Sequence, residues 1–366
     1  MRIAFDHQIF GWQEYGGISR YFYEIANILS RNFDTTVGIV SPIYVNAYLA
    51  DESSCLQVMG RKMPKIGRAG ILYCNINQLL APSITACFHP DVVHETYYSE
   101  KRFAPIGSKI VLTVFDMIHE RFPECFSPRD STSRRKAIAV KRADHLICIS
   151  KQTRDDLIDL LGVDPAKITV VHLGFSLTKP PAKKVQQITR PYLLYVGNRD
   201  GYKNFDALLA AYAANSALQR DYDLIVFGGG ILTTQERKLI DRLGIRADRI
   251  QHLGGDDTVL ASLYRSAALF VYPSCFEGFG IPILEAMSFD CPVVCSNAGS
   301  IPEVASNAAE LFDPRSPNDL EKAIERVLNN TSLRQTLIMA GRERIKLFSW
   351  EQCSRETLEV YRRTLA

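Results

Sequence analysis

Lys179-Pro-Pro-Ala-Lys-Lys-Val-Gln-Gln-Ile-Thr-Arg-Pro191, followed at once by Tyr192-Leu-Leu-Tyr-Val-Gly-Asn198, decides how this 366-residue chain is built. The first run is rich in proline and charge and reads as a linker. The second is an apolar run closed by glycine, the pattern of a buried strand. Working back from the linker, strand-like runs recur at RIAFDHQIF (2–10), TTVGIVSPI (35–43), DVVHETYY (91–98), KIVLTVFDM (109–117), HLICIS (145–150) and ITVVHLG (168–174). Helical patterns such as RYFYEIANILSRN (20–32) and SRRKAIAVKRA (133–143) separate them. Working forward, the alternation restarts with YLLYVGN, DLIVFGGG (223–230), RIQHLGG (249–255), ALFVYPS (268–274), PVVCSN (292–297) and AELFDP (309–314). Near-continuous apolar strands alternating with helices imply an α/β fold with parallel sheets covered on both faces. A chain of this length exceeds one ordinary core. The expected organisation is two doubly wound domains, 1–180 and 181–348, facing across a cleft. A terminal helix over 349–366 is expected to cross back onto the first. Ligands of such sheets gather at the carboxyl ends of the strands.

Composition narrows the function. The chain is 46% hydrophobic and 23% charged with a net charge of +3, a mixed balance that argues against a nucleic-acid binder. Two clusters are basic: Arg61, Lys62, Lys65 and Arg68, then Arg134, Arg135, Lys136, Lys141 and Arg142. They read as solvated faces or as points of attraction to an anionic membrane surface. No window reaches the ~18 apolar residues of a spanning helix. The N-terminal run, with its internal Asp6 and His7, is a strand pattern rather than a signal peptide. Nine scattered cysteines, with Cys291 and Cys295 in neither zinc nor redox spacing, point to a reducing cytoplasm. The expected location is cytoplasmic, with peripheral contact at the inner face of the membrane.

The strongest motif is Ser274-Cys-Phe-Glu277-Gly278-Phe279-Gly280-Ile281-Pro-Ile-Leu-Glu285-Ala-Met287, which follows a strand and opens a helix. Pro282 suits the first helical turn, the glycines let backbone approach a ligand, and the helix start offers N–H groups to an anion. Glu277 and Glu285 are expected to face one crevice and to accept hydrogen bonds from sugar hydroxyls. Arg199 and Lys203, in the loop after the first strand of the second half, are candidates to neutralise a leaving diphosphate. Gly16 and Gly17, ahead of the first helix, again expose backbone N–H groups. Asp116 and His119, at the end of KIVLTV, are candidates to bind or deprotonate an acceptor hydroxyl. Gly228-Gly-Gly230 does not match the dinucleotide fingerprint, and no phosphate-binding P-loop occurs. No obvious metal-ligand set appears, so neither a metal nor another cofactor is expected.

Together these motifs resemble the large retaining glycosyltransferase family of GT-B fold, family 4 or "glycosyl transferases group 1", which includes bacterial mannosyltransferases. The likeness spans the whole chain and is strongest from about Tyr192 to Glu310. It implies two Rossmann-like domains, acceptor-binding then donor-binding. The Glu-x7-Glu pair would place Glu277 by the donor sugar and Glu285 on the nucleotide ribose. Gly278, Phe279, Gly280 and Ile281 would line the sugar and phosphates, and Gly254 with Gly255 the base. Domain closure would bring Gly16 and Gly17 to the donor phosphates. Two departures stand out: the usual Arg-Lys-Asn reads Tyr202-Lys203-Asn204, and Phe115 occupies the place of a histidine that contacts the reaction centre in many relatives. Asp116 and His119 remain as the acceptor-side candidates.

The resemblance implies hexose transfer, with retention and without a metal, from a nucleotide-diphosphate sugar. GDP-mannose is the first choice of donor. The acceptor would be a glycan or lipid-linked glycan in polysaccharide or lipopolysaccharide synthesis. The alternatives are a sugar-nucleotide epimerase of the same fold and a non-catalytic sugar-nucleotide-binding partner subunit.

Overall fold

In the computed structural model, residues 1–50, 56–67, 69–176, 188–199 and 201–366 are described. Residues 179–187 of the linker, Arg68 of the first basic cluster and Asp200 lie outside them. The chain divides into two compact units. The first comprises Met1–Gly174 with Ser349–Ala366, and the second Phe175–Phe348.

In the first unit the strands are β1 (Arg2–Phe5), β2 (Thr36–Tyr44), β3 (Gln57–Lys62), β4 (Val92–Glu95), β5 (Lys109–Val114), β6 (His145–Cys148) and β7 (Ile168–Val170). They form a parallel sheet in the order β3-β2-β1-β4-β5-β6-β7. The second unit holds β8 (Tyr192–Val196), β9 (Asp223–Phe227), β10 (Ile250–Leu253), β11 (Leu269–Tyr272), β12 (Val293–Ser296) and β13 (Glu310–Phe312). Their order is β10-β9-β8-β11-β12-β13, again parallel. Every residue of β4, β8, β9, β11 and β12 is buried, as strands covered on both faces must be. Each buried Val, Leu or Ile there contributes about 1.5–3 kcal/mol.

Strand order reverses between β1 and β4 in one sheet and between β8 and β11 in the other. Loops leaving the carboxyl ends of these pairs therefore open a crevice in each unit. β3 was not legible as a strand because it is an edge strand whose residues are mostly exposed. It carries Arg61 and Lys62 of the first basic cluster. The RIAFDHQIF run is strand only to Phe5. At Asp6 the chain turns, its carboxylate accepting the backbone N–H groups of Gln8 and Thr96.

The helix Trp350–Leu365 starts on a Ser349 cap, whose Oγ accepts the Gln352 N–H at 3.1 Å. It packs on the helix Gly17–Asn32. Its Tyr361 hydroxyl meets His94 Nδ1 at 2.6 Å, and His94 Nε2 meets Thr113 Oγ1 at 2.8 Å. Burial holds His94 neutral, its pKa lowered to about 3.

Candidate active site

The loop after β8 is fastened to the loop after β11. Asn204, in the left-handed region at φ 57°, sends Nδ2 to the carbonyls of Pro273 (3.1 Å) and Pro314 (2.9 Å). The Cys275 N–H donates to the Tyr202 carbonyl at 2.7 Å. This stitching sets Lys203 over Glu277. Its ammonium donates to both carboxylate oxygens, at 2.7 and 2.9 Å, with the two side chains 17% and 9% exposed.

Glu277 is held from behind as well. The Ser300 hydroxyl reaches the carbonyls of Glu277 (2.8 Å) and Phe279 (2.9 Å). Gly299, at φ 59°, lies so close that a Cβ there would stand 3.2 Å from the Glu277 nitrogen. Gly280, at φ 111°, caps the helix Ile281–Ser288, with proline in its first turn. Gly278 and Phe279 are buried in the loop. Glu285, one turn in, accepts from the Tyr264 hydroxyl at 3.2 Å. The Tyr272 hydroxyl hydrogen-bonds Glu277. Burial first, and then the neighbouring carboxylate, raises both phenols far above their ordinary range. Glu277 and Glu285 are thus each backed by a buried tyrosine that stays a proton donor. Sequence reasoning missed both Tyr264 and Tyr272.

Arg199 is placed differently from the expectation of a free phosphate fork. Its guanidinium donates to the carbonyls of Gly228 (2.9 Å), Gly229 (3.2 Å), Gly230 (3.0 Å) and Ile231 (3.1 Å), and it pairs with Glu236. Only 4% of the side chain is exposed. Gly228, Gly229 and Gly230 all have positive φ (87°, 66° and 72°), which lets their carbonyls converge on one cation. The glycine run after β9 is therefore a seat for Arg199. Its one sequence signal was three glycines in succession at a strand end. Gly254, after β10, is exposed with open space about it.

In the first unit, Phe115 turns into the core, edge-on to Tyr21 (5.3 Å) and Phe22 (5.9 Å). Asp116 stays partly exposed, its Oδ1 accepting the Ile118 N–H at 3.0 Å. His119 stacks on Phe126 at 3.8 Å, with Nε2 3.9 Å from Asp130, and its buried Nδ1 has no hydrogen-bond partner. Gly16 starts the helix Gly17–Asn32, but Gln13 Oε1 accepts the Ser19 N–H (3.2 Å), so one first-turn donor is already used. Gly17 is exposed.

A cavity of about 660 Å³ opens beyond β1 and β4, lined by His7, Trp12, Asn77, Tyr97, Tyr98 and Arg135 among others. Trp12 and Tyr97 lie 5.7 Å apart, and His7 stands edge-on to Phe103 at 4.6 Å. Burial and then the Asp116 carboxylate push the Tyr97 phenol up to about 12, and the same two causes raise the Tyr98 phenol well above its ordinary range. Sequence reasoning passed over His7 as an interruption of a strand, although two polar titratable residues directly after β1 were the signal.

The second basic cluster is not a uniform surface. Lys136 is fully buried, its ammonium donating to Glu120 (2.7 Å) and to the Asp116 carbonyl (2.8 Å). Arg142 makes a two-pronged pair with buried Glu95, at 2.7 and 3.1 Å. Buried charges persist only when paired in this way. Among the described residues, no group of three or more His, Cys, Asp or Glu is arranged to hold a metal ion.

Comparison with known proteins fits this geometry. Residues 15–179 match the family described as Glycosyltransferase Family 4, and residues 179–344 that described as Glycosyl transferases group 1. The chain is 32% identical over 301 residues to an O-antigen chain mannosyltransferase B of Escherichia coli, covering 78% of each chain. It is 30% identical over 233 residues to an MMP alpha-(1->4)-mannosyltransferase of Mycolicibacterium hassiacum, covering 62% of this chain and 56% of the relative. Among solved structures, sucrose-phosphate synthase from Thermosynechococcus elongatus superposes with a TM-score of 0.75 at 20% identity, over 99% of this chain and 98% of that one. An Anabaena protein, HepE, in complex with UDP and glucose reaches 0.73 at 20% identity, over 98% of each. The length of the match to the E. coli mannosyltransferase, together with the paired Rossmann-like sheets common to these structures, means that the chain belongs to the glycosyl transferases group 1 family of GT-B fold.

Proposed function

We propose that this glycosyltransferase moves a hexose, mannose in the first instance, from a nucleotide-diphosphate sugar to a glycan or lipid-linked glycan, with retention at the anomeric carbon. The carrying observation is the Lys203 ammonium on both oxygens of Glu277, beside the β8/β11 reversal. Mannose is favoured by mannosyltransferases among the relatives, and GDP is the first choice of base from the family resemblance alone. An arriving diphosphate competes with Glu277 for the Lys203 ammonium. Glu277, released from it, accepts from sugar hydroxyls, while Glu285, oriented by Tyr264, accepts from the ribose.

As the bond from anomeric carbon to diphosphate oxygen breaks, its electron pair leaves with the diphosphate, where Lys203 offsets the charge. The acceptor oxygen bonds to the same face of that carbon. Its proton passes to the departing diphosphate or to Asp116. Arg199 acts at one remove, by holding the glycine loop after β9. In the first unit, the cavity with Trp12 and Tyr97 offers stacking faces to the acceptor glycan. Asp116, partly exposed, is the acceptor-side group in this reading, while the His119 ring is stacked on Phe126. Gly16 and Gly17, and Gly254 by the base, keep the donor contacts that the resemblance implies. Charge neutralisation by Lys203 makes a resident metal unnecessary in this scheme. We include peripheral contact with an anionic membrane in the same reading.

The test is release of nucleoside diphosphate from GDP-mannose, UDP-glucose and ADP-glucose, with and without a lipid-linked glycan, and with and without a chelator. Acceptor-dependent, chelator-insensitive release from GDP-mannose, giving an α-linked product by NMR, supports the reading. Release that ignores the acceptor favours an epimerase. No release and no donor binding favour a non-catalytic subunit.

A further inference from the structure

The helix Ala69–Phe88 has no charged residue in its 20 positions. One stripe, Tyr73, Asn77, Ala81, Thr85 and Phe88, is buried against the first unit. Asn77 fixes it there, accepting from the Ile43 N–H (2.7 Å) and donating to the Ile43 carbonyl (2.8 Å). The opposite face should be polar in a helix that meets water. Instead it presents Ile71 (75% exposed), Leu72 (58%), Leu79 (76%) and Leu80 (45%), with Ile66 just ahead at 59%. No helix among the described residues is long and apolar enough to cross a membrane.

The segment leading into this helix carries one sign of charge. From Leu56 to Phe88 the sequence holds four cations, Arg61, Lys62, Lys65 and Arg68, and no carboxylate. Arg61, Lys62 and Lys65 are exposed. Lys101 is drawn to the helix from the other side, donating to Gln78 Oε1 at 2.7 Å. Apolar residues beside cations fit the boundary between headgroups and acyl chains of an anionic bilayer. A second copy of the chain fits poorly, since docking this face on itself would set like charges against each other.

Resting on the membrane contact proposed above, we infer that the exposed face of Ala69–Phe88, with Arg61, Lys62 and Lys65, is the surface by which the first unit docks on an anionic lipid bilayer. The same helix supplies Gly70, Ile71 and Cys74 to the wall of the 660 Å³ cavity. Docking therefore sets the cavity mouth at the lipid surface, where an acceptor with a hydrocarbon tail would present its glycan.

Sedimentation of the full chain with vesicles tests this without any need for catalysis, so its failure leaves the donor site untouched. Vesicles of phosphatidylcholine alone are compared with vesicles that also contain phosphatidylglycerol. The wild type is expected to sediment with the anionic vesicles and to lose most of that binding in high salt. The pair Leu72→Glu and Leu79→Glu should weaken binding by on the order of tenfold or more. The pair Lys62→Ser and Lys65→Ser should cost about fivefold per charge and flatten the dependence on phosphatidylglycerol. Both variants change only exposed side chains. Absence of wild-type binding to anionic vesicles would overturn the inference, as would leucine variants that bind like the wild type. Self-association that those variants abolish, in a chain that ignores vesicles, would assign the face to a second copy instead.

Discussion

Replacing Lys203 by methionine separates the two tasks given to that side chain. Methionine keeps an unbranched stem in place while removing the ammonium. The loss strips Glu277 of two hydrogen bonds, at 2.7 and 2.9 Å, in a pair whose side chains are only 17% and 9% exposed. Breaking a fully buried pair costs about 3–5 kcal/mol, and the remaining contact with water reduces this to about 2–3 kcal/mol. Urea unfolding followed by circular dichroism should show that loss in the transition of the second unit. Turnover should fall on the order of a hundredfold, for a lost transition-state contact of about 3 kcal/mol. Adding Glu277→Gln to Lys203→Met removes the stranded charge. It should return about 1–2 kcal/mol of the stability while turnover stays low. A well-folded Lys203→Met protein with wild-type turnover would refute the leaving-group role. Recovery of turnover along with stability in the double variant would reduce Lys203 to a structural tie.

Three further outcomes follow from the same geometry. Tyr264→Phe removes the hydroxyl that orients Glu285, so calorimetry should find donor affinity reduced about fivefold, for about 1 kcal/mol, with the transition temperature little changed. Gly299→Ala places a Cβ at a left-handed position 3.2 Å from the Glu277 nitrogen, and should lower stability by about 1–2 kcal/mol together with turnover, read by thermal unfolding and rate assay. His94, neutral in the fold with a pKa of about 3 against 6.5 in the unfolded chain, stabilises fully above the unfolded value. That contribution drains as pH falls, by about 2 kcal/mol between about pH 7 and about pH 5, and urea titrations of wild type and His94→Gln should show a shallower slope in the variant.

Much of the architecture was legible in the strands. β8, β9, β11 and β12 are apolar at every or nearly every position because both faces are covered, and their short length, β-branched and aromatic content and turn residues at the ends separate them from buried helix. β3 escaped because an edge strand need satisfy only one neighbour, and its exposed side chains spelled a basic cluster instead. The string from Glu277 to Glu285 was legible as a loop leading into a helix, since glycine and proline at those spacings encode backbone geometry directly.

The partners of those two carboxylates were not legible, because they come from distant elements. Lys203 lies 74 residues before Glu277, and Tyr264 lies 21 before Glu285. Arg199 shows the limit most clearly. Its type and place after β8 suited a phosphate, but the carbonyls of Gly228 to Ile231 reach it only through three successive positive φ angles, a tertiary fact. Lys136 and Arg142 looked like surface cations for the same reason, since the carboxylates that allow their burial sit 16 and 47 residues away.

The central claim is that the second unit binds a nucleotide-diphosphate sugar through Lys203, Glu277 and Glu285. Calorimetric titration of GDP-mannose into the full chain, its Glu285→Gln variant and its Lys203→Met variant tests it most directly. The account predicts saturable binding to the wild type, weakened on the order of tenfold or more in each variant, for at least about 1.4 kcal/mol apiece. Equal affinity in all three proteins would contradict it.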